Sequence, residues 1–155
     1  MANSWLAHWT APRRVQPPQT AEGGRPIRIF VIHTPNENST PAIRAVEALA
    51  SELNAEIVLL AALEVPFPLP LTRPAVSLAF TKALLRNMIE LSHAPARVEL
   101  HLCRDRWQTI RLALPPNALV VLGGRRWFGR GPRRLAALLA QDGHNVLNLG
   151  DFKTS

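Results

Sequence analysis

The sequence predicts an α/β domain: an open, parallel sheet of five strands with helices covering both faces. Three observations carry that prediction. Short apolar runs rich in branched residues alternate along the chain with segments whose apolar residues recur every three or four positions. Most of the runs are continuously apolar, as in strands buried on both faces, rather than alternating with polar residues. Proline and glycine fall mainly between these segments. At 155 residues, with 47% apolar content, the chain suits one domain with a substantial core. That domain is placed over residues 26–155, behind an arm of residues 1–25.

The arm contains Pro12, Pro17, Pro18, Gly23 and Gly24 among few apolar residues, a composition that favours flexibility. Trp5, Leu6 and Trp9 are spaced as one helical turn, expected to dock on the domain or stay disordered; a partner or a membrane interface is less favoured. Ile27 to Ile32 (IRIFVI) reads as a central strand. Thr40 is the expected N-cap and Pro41 the first position of a helix to Leu53, whose stripe is Ile43, Val46, Leu49, Ala50 and Leu53. Asn54 tolerates the left-handed conformation that closes such a helix.

Glu56 to Ala62 (EIVLLAA) is the second strand. The prolines at 66, 68, 70 and 74 make Leu63 to Pro74 a loop. Ala75 to Leu91 restores helical periodicity, with Val76, Phe80, Leu84, Met88 and Leu91 on or near one face. Arg97 to Cys103 alternates Val98, Leu100 and Leu102 with Arg97, Glu99 and His101, the pattern of a half-exposed strand, and is placed at a sheet edge. A short helix over Asp105 to Leu112 turns Trp107 and Ile110 inward. Ala118 to Leu122 is the fourth strand. A final helix opens near Pro132, carries Leu135, Leu138 and Leu139, and stops at Asp142-Gly143 before the last strand, His144 to Leu149.

Charge is unevenly distributed. The net +7 has two sources. Residues 1–26 carry three arginines against one glutamate, and Arg125, Arg126, Arg130, Arg133 and Arg134 face no acid within their segment; the rest of the chain is neutral. A localised arginine patch favours an anionic partner, because the guanidinium fork matches phosphate oxygens; a solvated surface loop in an arginine-biased sequence is the competing reading. Cys103 is the only cysteine, which excludes an intramolecular disulfide and a cysteine metal cluster and suits a reducing cytoplasm. The N-terminus has no basic region followed by a long apolar one, and no stretch has the length of a membrane span. A cytoplasmic protein without a transmembrane segment is expected.

The stretch ALVVLGGRRWFGRGPRR, residues 118–134, concentrates the chemistry. A strand ending in a glycine pair and a cationic loop before a helix presents backbone amides and positive charge at the carboxyl edge of an open sheet. Together with SELNAEIVLLAA, the long proline-bearing loop and the order of elements, it resembles the universal stress protein family over roughly residues 26–150. The resemblance implies a flavodoxin-like (adenine nucleotide alpha hydrolase-like) three-layer fold with strand order 3-2-1-4-5. It further implies a non-enzymatic regulatory module, ATP or another nucleotide as ligand, and a homodimer paired through the last strand with Val146, Leu147 and Leu149.

The nucleotide or other anion would lie between the first and fourth strands. Gly123 and Gly124 would permit backbone approach, and Arg125, Arg126 and Arg130 would neutralise phosphate. His33, Thr34, Pro35 and Ala62 would line the base side. The chain departs from the family at both ends of this site. The ATP-binding pattern of glycine, two residues, glycine, nine residues, glycine and a hydroxyl residue finds Arg126, Ala136 and Ala137 when started at Gly123, and Trp127, Ala137 and Leu138 when started at Gly124. His33 stands where the family usually places an aspartate.

Other chemistries have weaker signals. Gly129-Arg130-Gly131 lacks the third glycine of a dinucleotide fingerprint, and no P-loop is present. The five histidines show no ligand spacing, and no serine occupies a nucleophile elbow. Cys103, beside Arg104 and Arg106, reads either as a thiol activated by positive charge or, preferably, as a small strand-end residue. Trp127 and Phe128 among the arginines suit stacking on single-stranded nucleic acid, but so short a loop is no extended groove. The alternative to a nucleotide-binding module is a ligand-free dimeric scaffold using the 125–134 loop on an acidic protein, a membrane or nucleic acid.

Overall fold

The computed structural model describes residues 8–12, 27–33, 39–71, 77–123 and 130–149, with residues 8–12 and 130–133 described by their backbone. The elements are β1 (His8–Pro12), β2 (Arg28–His33), α1 (Thr40–Leu53), β3 (Glu56–Glu64), α2 (Leu78–Glu90), β4 (Ala96–Cys103), α3 (Arg106–Ala113), β5 (Leu119–Leu122), α4 (Arg130–Gln141) and β6 (Asn145–Asn148). The sheet order is β1-β4-β3-β2-β5-β6. Strands β4, β3, β2, β5 and β6 are mutually parallel, which is the expected order 3-2-1-4-5 of a flavodoxin-like α/β fold. Among the described residues no helix is long and apolar enough to cross a membrane.

Apolar continuity explains why β2, β3 and β5 are central. Ile29, Val31, Ile57, Leu59, Ala61 and Val121 point into a core shared with α1 and α2. Phe30, Ile32, Val58, Leu60, Ala62, Val120 and Leu122 point into a second core closed by Ile110 of α3 and by Leu135 and Leu139 of α4. Neighbouring residues of one strand thus serve opposite layers, so both faces need apolar side chains.

The expected edge position of the third parallel strand, β4, is overturned: β1 pairs with it antiparallel, His8 opposite His101 and Pro12 opposite Arg97. β1 lies within the span read as the arm. Physically, β4 alone would expose a row of unpaired backbone groups, and a five-residue segment from upstream satisfies them. Trp9 is therefore in a strand and not in a helical turn; Trp5 and Leu6 lie outside the described residues. The alternation read in β4 holds, with Val98, Leu100 and Leu102 buried. Arg97, Glu99 and Glu56 form an ion-paired row on the other side, Arg97 standing 2.9 Å from Glu99 and 3.5 Å from Glu56.

Helix α2 turns inward a face that shares only Met88 with the stripe its periodicity suggested, Val76 of that stripe lying outside the described residues. Leu85, Met88 and Ile89 are buried, whereas Phe80 is 64% exposed and Leu84 and Leu91 are also exposed. Two apolar stripes share the helix, and contact with β4 selects one of them. Ser77 caps this helix by accepting the amide hydrogen of Phe80 at 3.4 Å. Asn54 closes α1 in the left-handed conformation at φ 50°, as expected, but the N-cap is Ser39 rather than Thr40. Gly143, at φ +89°, supplies the left-handed stop after α4, where the amide of His144 reaches the Leu139 carbonyl.

Candidate functional site

Helix α1, which follows β2, packs on one face of the sheet, and α4, which follows β5, packs on the other. The chain therefore diverges at the carboxyl ends of β2 and β5, which is where open α/β sheets form a crevice. Ile32 pairs with Leu122 and His33 with Ala61. His33, Ala62 and Gly123 consequently lie together at the carboxyl edge of three adjacent strands. Arg130 is the first residue of α4. Thr34, Pro35, Gly124, Arg125 and Arg126 lie outside the described residues.

His33 is only 7% exposed, and its Nδ1 lies 2.8 Å from the hydroxyl oxygen of Ser39. Ser39 itself is 1% exposed. Its hydroxyl makes no cap bond to α1, because the His33 ring takes it instead. Burial, with a smaller contribution from the Arg106 guanidinium, lowers the His33 pKa from 6.5 to about 4, so the ring is neutral near pH 7.

Arg106 is the residue that sequence reasoning did not place in the site. Asp105 caps α3, its carboxylate accepting the Gln108 amide hydrogen at 3.1 Å, which puts Arg106 in the first turn of a helix that begins at the carboxyl edge. The Arg106 amide donates to Glu64 Oε1 at 3.1 Å, and its Nε donates to the Ala62 carbonyl at 3.2 Å. The first bond fixes the backbone at the start of α3, and the second lays the side chain against the end of β3, one residue beyond Ala61, the strand partner of His33. Arg28, Arg97 and Arg111 each have a carboxylate partner; the Arg106 guanidinium has none among the described residues. The available signal was topological: an arginine right after a helix cap, in a helix following a parallel strand, must sit at this edge.

Gly123 has a packing reason that its sequence context does not show. A Cβ placed there would lie 2.6 Å from the Ala42 Cβ, so the glycine lets the first turn of α1 close against the end of β5. Ala42 is 3% exposed, confirming how tightly this corner is filled.

The activated-thiol reading of Cys103 is not supported by its surroundings. Arg104 turns away to the carbonyls of Val65 and Leu69 and stacks over Phe67 at 4.0 Å, while Arg106 turns to Ala62. Cys103 is 2% exposed and its Sγ–H points to the Leu63 carbonyl at 3.6 Å. Burial raises the thiol pKa, outweighing a hydrogen bond with Thr109 that acts the other way.

What the edge can do chemically follows from these groups. A neutral imidazole, a guanidinium with no carboxylate partner among the described residues and small residues on neighbouring strands can receive an anion, and the neutral His33 adds no charge of its own. Comparison of the chain with family models, with curated proteins and with solved structures finds no match.

Proposed function

We propose that this protein is a non-enzymatic regulatory module of the universal stress protein type that binds a nucleotide or another phosphate-bearing anion at the carboxyl ends of β2 and β5. The observation that carries this reading is the Arg106 guanidinium, held on the Ala62 carbonyl at the switch point, next to the strand partner of neutral His33, with no carboxylate partner among the described residues. Positive charge held in place before a ligand arrives costs little further ordering on binding. Gly124, Arg125, Arg126 and Arg130 follow the end of β5 in sequence and would add charge and backbone amides from the other side of the crevice.

We further propose that two copies pair through β6, the outermost parallel strand, on which Leu147 is 38% exposed. The lone, buried and reduced Cys103 suits a cytoplasmic setting. A thermal-shift series with ATP, AMP, cyclic nucleotides and inorganic phosphate tests the ligand. Saturation to 100 times Kd stabilises by about 2.7 kcal/mol, which for a domain of this size raises Tm by roughly 5–11 °C. No shift with any of them at millimolar concentration would remove the nucleotide reading. A monomer by light scattering at micromolar concentration would remove the dimer.

A further inference from the structure

His33 and Ser39 form a unit whose protons can be assigned. The Ser39 hydroxyl is buried and must donate somewhere, since a buried donor without an acceptor is costly. The acceptor the structure provides is His33 Nδ1, at 2.8 Å. A neutral ring that accepts at Nδ1 carries its hydrogen on Nε2, and that N–H has no partner among the described residues. Arg106 commits one N–H, through Nε, to the carbonyl of Ala62, the residue after His33's strand partner Ala61; this orients the guanidinium plane and leaves Nη1 and Nη2 uncommitted to any carboxylate among the described residues. The paired arginines of the chain behave otherwise: Arg111 spends both Nε and Nη2 on Asp142 at 2.7 and 2.9 Å.

We propose that Arg106 and the Nε2–H of His33 together form the anchor for a phosphate group, the guanidinium taking two oxygens through its Nη atoms and the imidazole donating to a third. Ser39 acts as the positioning residue that holds the ring in the donating tautomer. This deepens the nucleotide reading and rests on it, naming the charged moiety the crevice grips and the residues that grip it. The neutral ring donates a hydrogen bond without requiring a proton from solvent, and the guanidinium supplies the charge. A planar fork held on one edge by a backbone carbonyl suits a multidentate oxyanion better than a lone ammonium would.

The test is isothermal titration of the full chain with AMP, inorganic phosphate and adenosine. AMP and phosphate are expected to bind and adenosine to bind at least tenfold more weakly than AMP. Arg106→Gln should weaken AMP by roughly ten- to a hundredfold, as loss of a charged hydrogen-bond donor does, with Arg106→Lys intermediate and Arg111→Gln unchanged. Melting curves recorded beside each titration identify any variant that has lost its fold, and Arg106→Lys then carries the comparison. ¹⁵N spectra of the imidazoles should show His33 with hydrogen on Nε2, and Ser39→Ala should mix the tautomers and weaken AMP.

AMP binding unchanged in a folded Arg106→Gln protein overturns the anchor and leaves the nucleotide reading standing, whereas no binding of AMP or phosphate by the wild type overturns the reading itself. Adenosine binding as tightly as AMP overturns the phosphate grip. Hydrogen on Nδ1 of His33 in the wild type overturns the role given to the imidazole and to Ser39.

Discussion

Replacing His33 with asparagine is expected to flatten the acid limb of this protein's stability profile. In the native state the ring is 7% exposed and its pKa is about 4, lowered by burial and then by Arg106; in the unfolded chain it returns to 6.5. As pH falls through 6.5 the unfolded chain binds a proton that the native state refuses, so the equilibrium moves toward unfolding. The contribution is complete above pH 6.5, is lost progressively down to about pH 4, and is constant below that. At 1.36 kcal/mol for each pH unit across that gap, wild type loses about 3 kcal/mol from this one group.

Asparagine keeps an acceptor near the position of Nδ1 for the Ser39 hydroxyl and does not titrate. Urea unfolding of both proteins at several pH values between 4 and 7.5 isolates the effect. The other titrating groups are common to both chains, so the wild-type curve minus the variant curve removes them. The difference should fall by about 3 kcal/mol over this range. Parallel curves would refute the argument, because they would mean that His33 takes up its proton equally well in the folded state.

Other substitutions probe the packing. Gly123→Ala is expected to cost about 1–3 kcal/mol in urea unfolding, the usual penalty for overpacking, since the new methyl would meet the Ala42 Cβ at 2.6 Å; no cost would show that the corner is loose. Leu85→Ala should cost about 2–5 kcal/mol as a cavity in a full core, and Phe80→Ala within about 0.5 kcal/mol, because Leu85 is 0% and Phe80 64% exposed; equal costs would contradict the inward face assigned to α2. Cys103 in the native protein should react with a disulfide reagent at pH 8 at least about tenfold more slowly than free cysteine, because burial both shields the thiol and raises its pKa. Reaction as fast as the free amino acid would overturn that.

The parallel order of β4, β3, β2, β5 and β6 was legible because apolar continuity and crossover length are local properties, and together they allow few sheets. Ile27 to Ile32 and Glu56 to Ala62 read as buried strands in a chain with helices between them, and β2 and β3 are there, with Ile27 itself exposed before β2 begins. The Asn54 cap and the Gly143 stop were legible for the same reason, since each depends on one residue's backbone preference. Within the site, His33, Ala62 and Gly123 could be placed together from strand ends alone.

Tertiary structure alone decided the rest. HWTAP is too short and too close to prolines to stand out as a strand by itself, and it pairs because β4 has an edge to fill. Helix α2 holds two apolar stripes that share Met88, and only its contact with the sheet chooses Leu85 and Ile89 over Phe80, Leu84 and Leu91. Arg106 lies 73 residues after His33 and 44 after Ala62, so no spacing motif links them; the carbonyl of Ala62 does. The sequence put the cap of α1 at Thr40; in the fold Ser39 takes that place, and its hydroxyl meets the His33 ring instead of the helix. Periodicity and punctuation are written in neighbouring residues, whereas an edge, a buried face and a shared hydrogen bond exist only once distant segments meet.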